Sequence, residues 1–344
     1  MTQDHIKQLM KRVYTWQFNN RTRFVIRSTG KKRFLRATDW ERGVFWLSVA
    51  DAWQATDDQE YLDGLMDWTL HTGFRAGHLP RFADDHVCMQ AYIPMYPLMD
   101  SPELIEYAQK ALEVMIDAPK PGREDWWWCD SLFMAPPVFA AISSVTGDSK
   151  YIDYMDTAFW DAVDNLYDAE TGLYYRDQRY IPNAEQTEFR EANGEKVMWS
   201  RGLGWVLGCV PRILDHMPED YPTRHKYIEM FQALAKEVIK YQQEDGFWRV
   251  SLLDPESFPM PESSATSLFV YGLAWGLNQG LLDQETYMPV VTKAWSSLET
   301  CIHEDGMIGW VQLPAYNPRK VEFDHNIDYG AGAFLLAATQ MMKL

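Results

Sequence analysis

Two stretches decide the fold: Ser131–Val145, SLFMAPPVFAAISSV, and Ala265–Leu277, ATSLFVYGLAWGL. Neither contains an acidic or basic residue. A helix built from either has no face to offer water and belongs in the interior on all sides. Their Ala, Gly and Ser residues let neighbouring helices approach closely. Each stretch is followed by a turn and then by a helix of another kind, TGDSKYIDYMDTAFWDAVDNLY after the first and LDQETYMPVVTKAWSSLETCI after the second. In a third such partner, Tyr227, Met230, Phe231, Leu234 and Val238 recur at helical spacing, with Lys226, Glu229 and Lys236 off the stripe. Acidic-aromatic glycine loops, ETGLYY, EDGFW and EDGMIGW, close three of these partners. The pattern is an internal repeat of roughly 50 to 60 residues. It predicts five hairpins, Asp39–Phe74, Asp85–Ile116, Asp130–Leu166, Arg201–Tyr241 and Ser264–Ile302. A sixth joins the chain ends, His5–Asn19 with DYGAGAFLLAATQM at Asp328–Met341. The expected fold is all-α, one (α/α)6 barrel of six helical hairpins over residues 1–344, with chargeless helices inside and amphipathic ones outside. An open superhelix is the rival, but closure removes the terminal repeats that an open stack must cap.

The composition narrows the partners. There are 32 Lys and Arg against 49 Asp and Glu, for a net charge of −17. Nucleic acid is therefore an unsuitable ligand, because phosphate neutralisation needs basic clusters, and an anionic membrane surface is equally unsuitable. No run of about 18 apolar residues is present to span a bilayer. The polar start, MTQDHIKQLMKRVYTW, lacks an apolar signal core, so a cytoplasmic location is expected unless a leader has been removed. Cys88, Cys129, Cys209 and Cys301 are widely spaced without a CxxC and read as reduced core residues. The scattered histidines lack metal-ligand spacing, so no metal is expected, and no nucleotide or hydrolase signature suggests a cofactor. The 15 tryptophans are more than a core ordinarily absorbs and suit flat sugar platforms. Oligomeric state is left open.

Chemistry is expected where polar residues meet aromatic ones at the starts of the inner helices. RFADDHVCMQAY places Asp84 and Asp85 at one start, DWWWCDSLFMAPP places Trp126, Trp127, Trp128 and Asp130 at the next, MWSRGLGW places Trp199, Arg201 and Trp205 at a third, and PESSATSLF places Glu262 at a fourth. Each acidic residue has a plain alternative as an N-cap. Asp130 stands out: it follows three tryptophans, opens a chargeless helix and has no Lys or Arg beside it in the sequence. An apolar surround of that kind raises a carboxyl pKa and suits a general acid. Asp85 is the expected second carboxyl. Arg201 and Trp205, four apart on one helical face, can grip a carboxylate and cover a ring, although a buried salt bridge is the alternative for Arg201. Lys120 either adds charge near Asp130 or lies on a solvated loop. Arg176, Asp177 and Arg179 in YYRDQRY form a further polar group.

These segments carry a family resemblance. FADDH at Phe82–His86, WCDSLFMAPP at Trp128–Pro137, TGLYYRD at Thr171–Asp177, WSRGLGW at Trp199–Trp205, ESSATSLFVYGLAWG at Glu262–Gly276 and GAGAFLLA at Gly330–Ala337 resemble the unsaturated rhamnogalacturonyl hydrolases. That group is glycoside hydrolase family 105, related to the unsaturated glucuronyl hydrolases. The resemblance implies hydrolysis of a small oligosaccharide whose non-reducing end is a 4,5-unsaturated uronic acid left by a lyase. An aspartic acid protonates C4 of the enol ether, water adds at C5, and the hemiketal collapses. By this likeness the acid/base residue is Asp130, the second aspartate is Asp85, and substrate-binding Lys, Arg and Trp fall on Lys120, Arg201 and Trp205. Trp40, Asp84 and Trp128 are expected to line the substrate with them. The family's loop histidine is missing from GLYYRDQRY, where Arg176 is the candidate replacement, and its loss favours a substrate outside pectin. Two other readings stay open: a sugar epimerase or isomerase on the same barrel, and a non-catalytic carbohydrate-binding helical protein.

Overall fold

The computed structural model describes residues 2–26, 30–99, 101–182 and 189–344. Four long helices are buried nearly all round: Trp40–Thr56, Ser200–Leu214, Ser263–Asn278 and Asp328–Met341. Two further inner elements are the pair Ser131–Met134 and Pro136–Thr146, and the short helix Met89–Tyr92 with its continuation. These six form a closed ring, each packing on the next and Asp328–Met341 returning to Trp40–Thr56. Outside them lie Gln3–Asn19, Gln59–Thr72, Pro102–Ile116, Lys150–Leu166, Arg224–Val238 and Gln284–Glu299. The expected six-hairpin barrel is thus observed. In Arg224–Val238 the buried residues are the expected stripe plus Ala235.

Small residues set how tightly the ring closes. A Cβ on Gly332 would stand 2.9 Å from the Val44 carbonyl oxygen and 3.1 Å from Phe45 Cα, so here one helix backbone rests on another. At Gly204 the obstacle would be Leu268 Cβ, at 2.8 Å. The chain ends complete the circle through Gln17 Nε2 donating to Asp328 Oδ1 (2.6 Å) and Gln3 Nε2 donating to the Met342 carbonyl (2.9 Å).

Proline interrupts the expected second and third inner helices. Pro94 and Pro97 lack the N–H that a continuing helix needs, and Met89–Tyr92 passes through the 3-10 turn Ile93–Met95 to the single helical turn Tyr96–Met99. Pro136 likewise separates Ser131–Met134 from Pro136–Thr146. Two short antiparallel hairpins, Phe24–Ile26 with Lys32–Phe34 and Tyr167–Asp168 with Leu173–Tyr174, were not expected from the sequence. The second follows an outer helix and turns the TGLYYRD segment toward the ring. All four cysteines are free and buried, and no helix among the described residues is long and apolar enough to cross a membrane.

Candidate active site

The inner helices begin at a common end, as aromatic contacts between their starts show. Trp40 stacks on Tyr329 (4.8 Å), Phe82 on Trp128 (5.1 Å), and Trp199 donates its indole N–H to Gln312 Oε1 (2.8 Å). The acidic residues gathered there do different work. Glu262 is a cap: it accepts from the backbone N–H groups of Ser264 (3.0 Å), Ala265 (2.6 Å) and Gln312 (3.0 Å), and from the Ser264 hydroxyl (2.5 Å). Asp130 also sits at a helix start but makes no capping hydrogen bond.

Asp130 instead faces Arg176. The TGLYYRD segment runs antiparallel to Trp128 and Cys129, with Cys129 N–H donating to the Arg176 carbonyl (2.8 Å). This pairing brings Arg176 Nε to 3.8 Å from Asp130 Oδ2, both side chains being largely buried. No Lys or Arg adjoins Asp130 in the sequence, and the cation the fold brings to it is distant in sequence and delivered by a loop. Arg176 also binds Asp177 Oδ2 (2.5 Å), and its guanidinium lies between the rings of Trp127 (5.3 Å) and Tyr316 (5.1 Å).

Of the two adjacent aspartates, Asp84 is the one whose carboxyl feels the charge of Asp130. Burial raises its pKa well above the usual carboxylate range, followed by the Asp130 and Glu41 charges, with Arg176 opposing. The charge on Asp130 thus adds to burial in disfavouring the ionised form of Asp84. Asp85 points elsewhere. Its Oδ2 accepts from the Leu79 N–H (2.7 Å) and its carbonyl from the Gly77 N–H (2.7 Å), so it anchors the 77–79 loop. The expected placing of Asp85 beside Asp130 is corrected in favour of its neighbour.

Arg201 is 1% exposed, and its guanidinium lies 4.6 Å from the Trp199 ring centre and 4.9 Å from that of Tyr329. It donates to the Gln312 carbonyl, which the Tyr329 hydroxyl also binds. Among the described residues no carboxylate stands within ion-pair distance of it, and its Nε has no partner. Among the described residues nothing answers to the salt-bridge alternative. A buried cation without a counter-charge is costly, and an anionic ligand group relieves that cost.

The other expected residues divide. Trp40 is half-buried on Tyr329. Trp128 is almost wholly buried, whereas Trp127 keeps 38% of its surface open, so Trp127 is the accessible indole of the run. Trp205 is fully buried against Phe133 (4.7 Å), beneath the site and without an open face for a ring. Lys120 is exposed on its loop and has no ion-pair partner among the described residues. Residues missed in the sequence are Glu41, Gln312, Tyr316 and Tyr329. Glu41 is fully buried beside Arg33, and burial pushes its pKa to about 7 although Arg33 opposes. The aromatic and proline-rich run WVQLPAYNPRK at 310–320 was the available signal for Gln312 and Tyr316.

The sequence model of Glycosyl Hydrolase Family 88 matches residues 4–344. The chain belongs to that family. An unsaturated 3S-rhamnoglycuronyl hydrolase of Formosa agariphila is 36% identical over 90% of this chain and 86% of its own length. A glycosyl hydrolase family 88 structure from Bacteroides vulgatus superposes with a TM-score of 0.88 at 30% identity, covering 99% of both chains. A possible member of the GH105 family from Salmonella enterica gives a TM-score of 0.82 at 20% identity over 99% of this chain and 94% of its own, a likeness of fold. The family 88 protein described here is a glycoside hydrolase, as the resemblance implied.

Proposed function

We propose that the protein removes a 4,5-unsaturated uronic acid from the non-reducing end of a lyase-generated disaccharide whose next sugar is rhamnose or a similar deoxysugar. The observation that carries this reading is Arg201, a buried guanidinium with no carboxylate partner among the described residues, at the same end of the ring as Asp84 and Asp130. A uronate carboxylate supplies the missing charge to Arg201, and the carboxyl pair supplies the proton. Asp130 delivers that proton to C4 of the enol ether, leaving cationic character at C5. Water adds at C5 and returns a proton to the pair, the hemiketal opens, and the neighbouring sugar leaves. Asp84 supports the transfer because burial and the neighbouring Asp130 and Glu41 charges disfavour its ionised form. Trp40 and Trp127 flank the sugars, and the name of the Formosa relative supports rhamnose as the leaving sugar.

The test is incubation of the purified protein with an unsaturated uronyl–rhamnose disaccharide. Ultraviolet absorbance of the conjugated enol ether should disappear as free rhamnose accumulates in equal amount. Binding without loss of the double bond, or interconversion of free sugars, would overturn the proposal.

A further inference from the structure

The backbone N–H and carbonyl of Gln312 and both ends of its side-chain amide are all engaged, and two of its partners also cover Arg201. Only 1% of Gln312 is exposed. Its N–H donates to Glu262 Oε1 (3.0 Å), and its side-chain Oε1 accepts from the Trp199 indole (2.8 Å). Its Nε2 donates to the Asn317 carbonyl (2.8 Å), while its own carbonyl accepts from both Arg201 Nη1 and the Tyr329 hydroxyl. One loop residue thus joins the starts of three inner helices, Ser200–Leu214, Ser263–Asn278 and Asp328–Met341.

The chain is bent to bring Gln312 there. Trp310 has a φ of +55°, in the left-handed region that a bulky side chain rarely adopts. It is held from both sides, its carbonyl accepting from the Ser263 N–H (2.9 Å) and its N–H donating to the Phe323 carbonyl (3.1 Å). Strained backbone of this kind persists only where its surroundings over-determine it. Val311 then rests on Gly330, where a Cβ would stand 2.5 Å from Val311 Cγ2, so glycine admits the loop beside Tyr329.

Arg201 is left with one defined direction. The Trp199 and Tyr329 rings cover its guanidinium at 4.6 and 4.9 Å. Among the described residues its one hydrogen bond runs from Nη1 to the Gln312 carbonyl. A guanidinium carries its N–H donors in a planar fork. With Nη1 tethered, the Nε edge, which has no protein partner, is left for a ligand, and such an edge suits a carboxylate held by two parallel bonds.

We propose that Gln312 is a positioning residue that fixes the Arg201 guanidinium so that its Nε edge meets the carboxylate of the substrate's terminal sugar. The inference rests on the proposed removal of an unsaturated uronate and names the residue that sets how the uronate is gripped. The Gln312 carbonyl does the orienting. Its side chain, clamped between Trp199 and Asn317, keeps that carbonyl in place.

The test is a double-mutant cycle with the unsaturated uronyl–rhamnose disaccharide. Gln312→Met keeps the length of the side chain but cannot pair with Trp199 or Asn317. It should raise KM by roughly tenfold to hundredfold, the range for a lost charge-assisted hydrogen bond, while kcat falls by less than about fivefold. Tyr329→Phe keeps a ring over Arg201 and removes only the hydroxyl on the Gln312 carbonyl, so KM should rise in the same direction by a smaller factor. In an Arg201→Ala background neither substitution should raise KM further by more than about twofold, because residues that act through one another are not additive. A wild-type KM in Gln312→Met, or the same rise with and without Arg201, would overturn the proposal. If circular dichroism shows that Gln312→Met does not fold, Tyr329→Phe decides by the same cycle. If the wild type leaves the double bond intact, the hydrolase reading fails instead. Calorimetric titration with the unconsumed disaccharide then runs the cycle on Kd, coupling between Gln312 and Arg201 supporting the positioning role and independent effects refuting it.

Discussion

Asp130 stands where a carboxylate ordinarily accepts hydrogen bonds from the first N–H groups of a helix, and it accepts none. Removing its transferable proton should therefore damage chemistry and spare the fold. Asp130→Asn should lose roughly 10²–10⁴-fold in kcat with its thermal midpoint close to wild type, as measured by steady-state assay and melting followed by circular dichroism. The adjacent aspartates should separate in the same assays. Asp84→Asn should also lose at least about a hundredfold, whereas Asp85→Asn should keep kcat within about tenfold of wild type and instead melt earlier through its weakened hold on Leu79. Equal damage from the two would sink the assignment of Asp84 as partner. The sequence identified Asp130 by its chargeless helix and flanking tryptophans. It could not divide roles between neighbours in a 3-10 turn, because adjacent side chains diverge and only the packed loop reveals which one faces the ring. Trp205 shows a similar limit: helical spacing places it on the face of Arg201 but says nothing about depth.

Among the elements, the inner helices were legible because they lack charge, and the outer ones because their stripe repeats at helical spacing. The short hairpin Phe24–Ile26 and Lys32–Phe34 was not, since three-residue strands are too short to display alternation. That hairpin matters through Arg33, which binds Asp39 Oδ2 (2.8 Å) and the buried Glu41. Glu41 has a folded-state pKa of about 7 against an ordinary 4.5, so between these values the folded protein binds more proton than the unfolded chain. Stability from this group is fully present below about 4.5 and falls as pH rises through about 7. The loss is on the order of 3 kcal/mol at most. Glu41→Gln keeps an acceptor for Arg33 and removes the titration, so the mutant should lose less stability than wild type between about pH 5 and pH 8. Thermal melts across that interval check this, and parallel curves for the two proteins would refute it.

At the scale of the whole molecule, the repeat predicted hairpins but left their arrangement as a ring or a spiral to be argued from the cost of uncovered ends. The structure answers with contacts that only a ring allows. The first helix covers the last, Gln17 and the Thr22 N–H both bind Asp328 Oδ1, and Gly332 lets Asp328–Met341 settle onto the backbone of Trp40–Thr56. The site depends on that closure, because Tyr329, in the last helix, stacks on Trp40 from the first inner helix and flanks Arg201 from the fourth. In a ring the chain ends are neighbours and the position of the break is arbitrary; in a spiral they lie at opposite ends. A circular permutant should distinguish the two. Joining Leu344 to Thr2 through a short Gly/Ser linker and opening the chain in the exposed turn at Gly147 cuts no inner-to-inner contact and leaves the site end untouched. Such turns tolerate new termini. The permutant should unfold in one cooperative transition and retain turnover within a few-fold of the parent. A permutant that folds only in part, or aggregates while the linear parent is soluble, would show that the native break contributes more than closure of the ring requires.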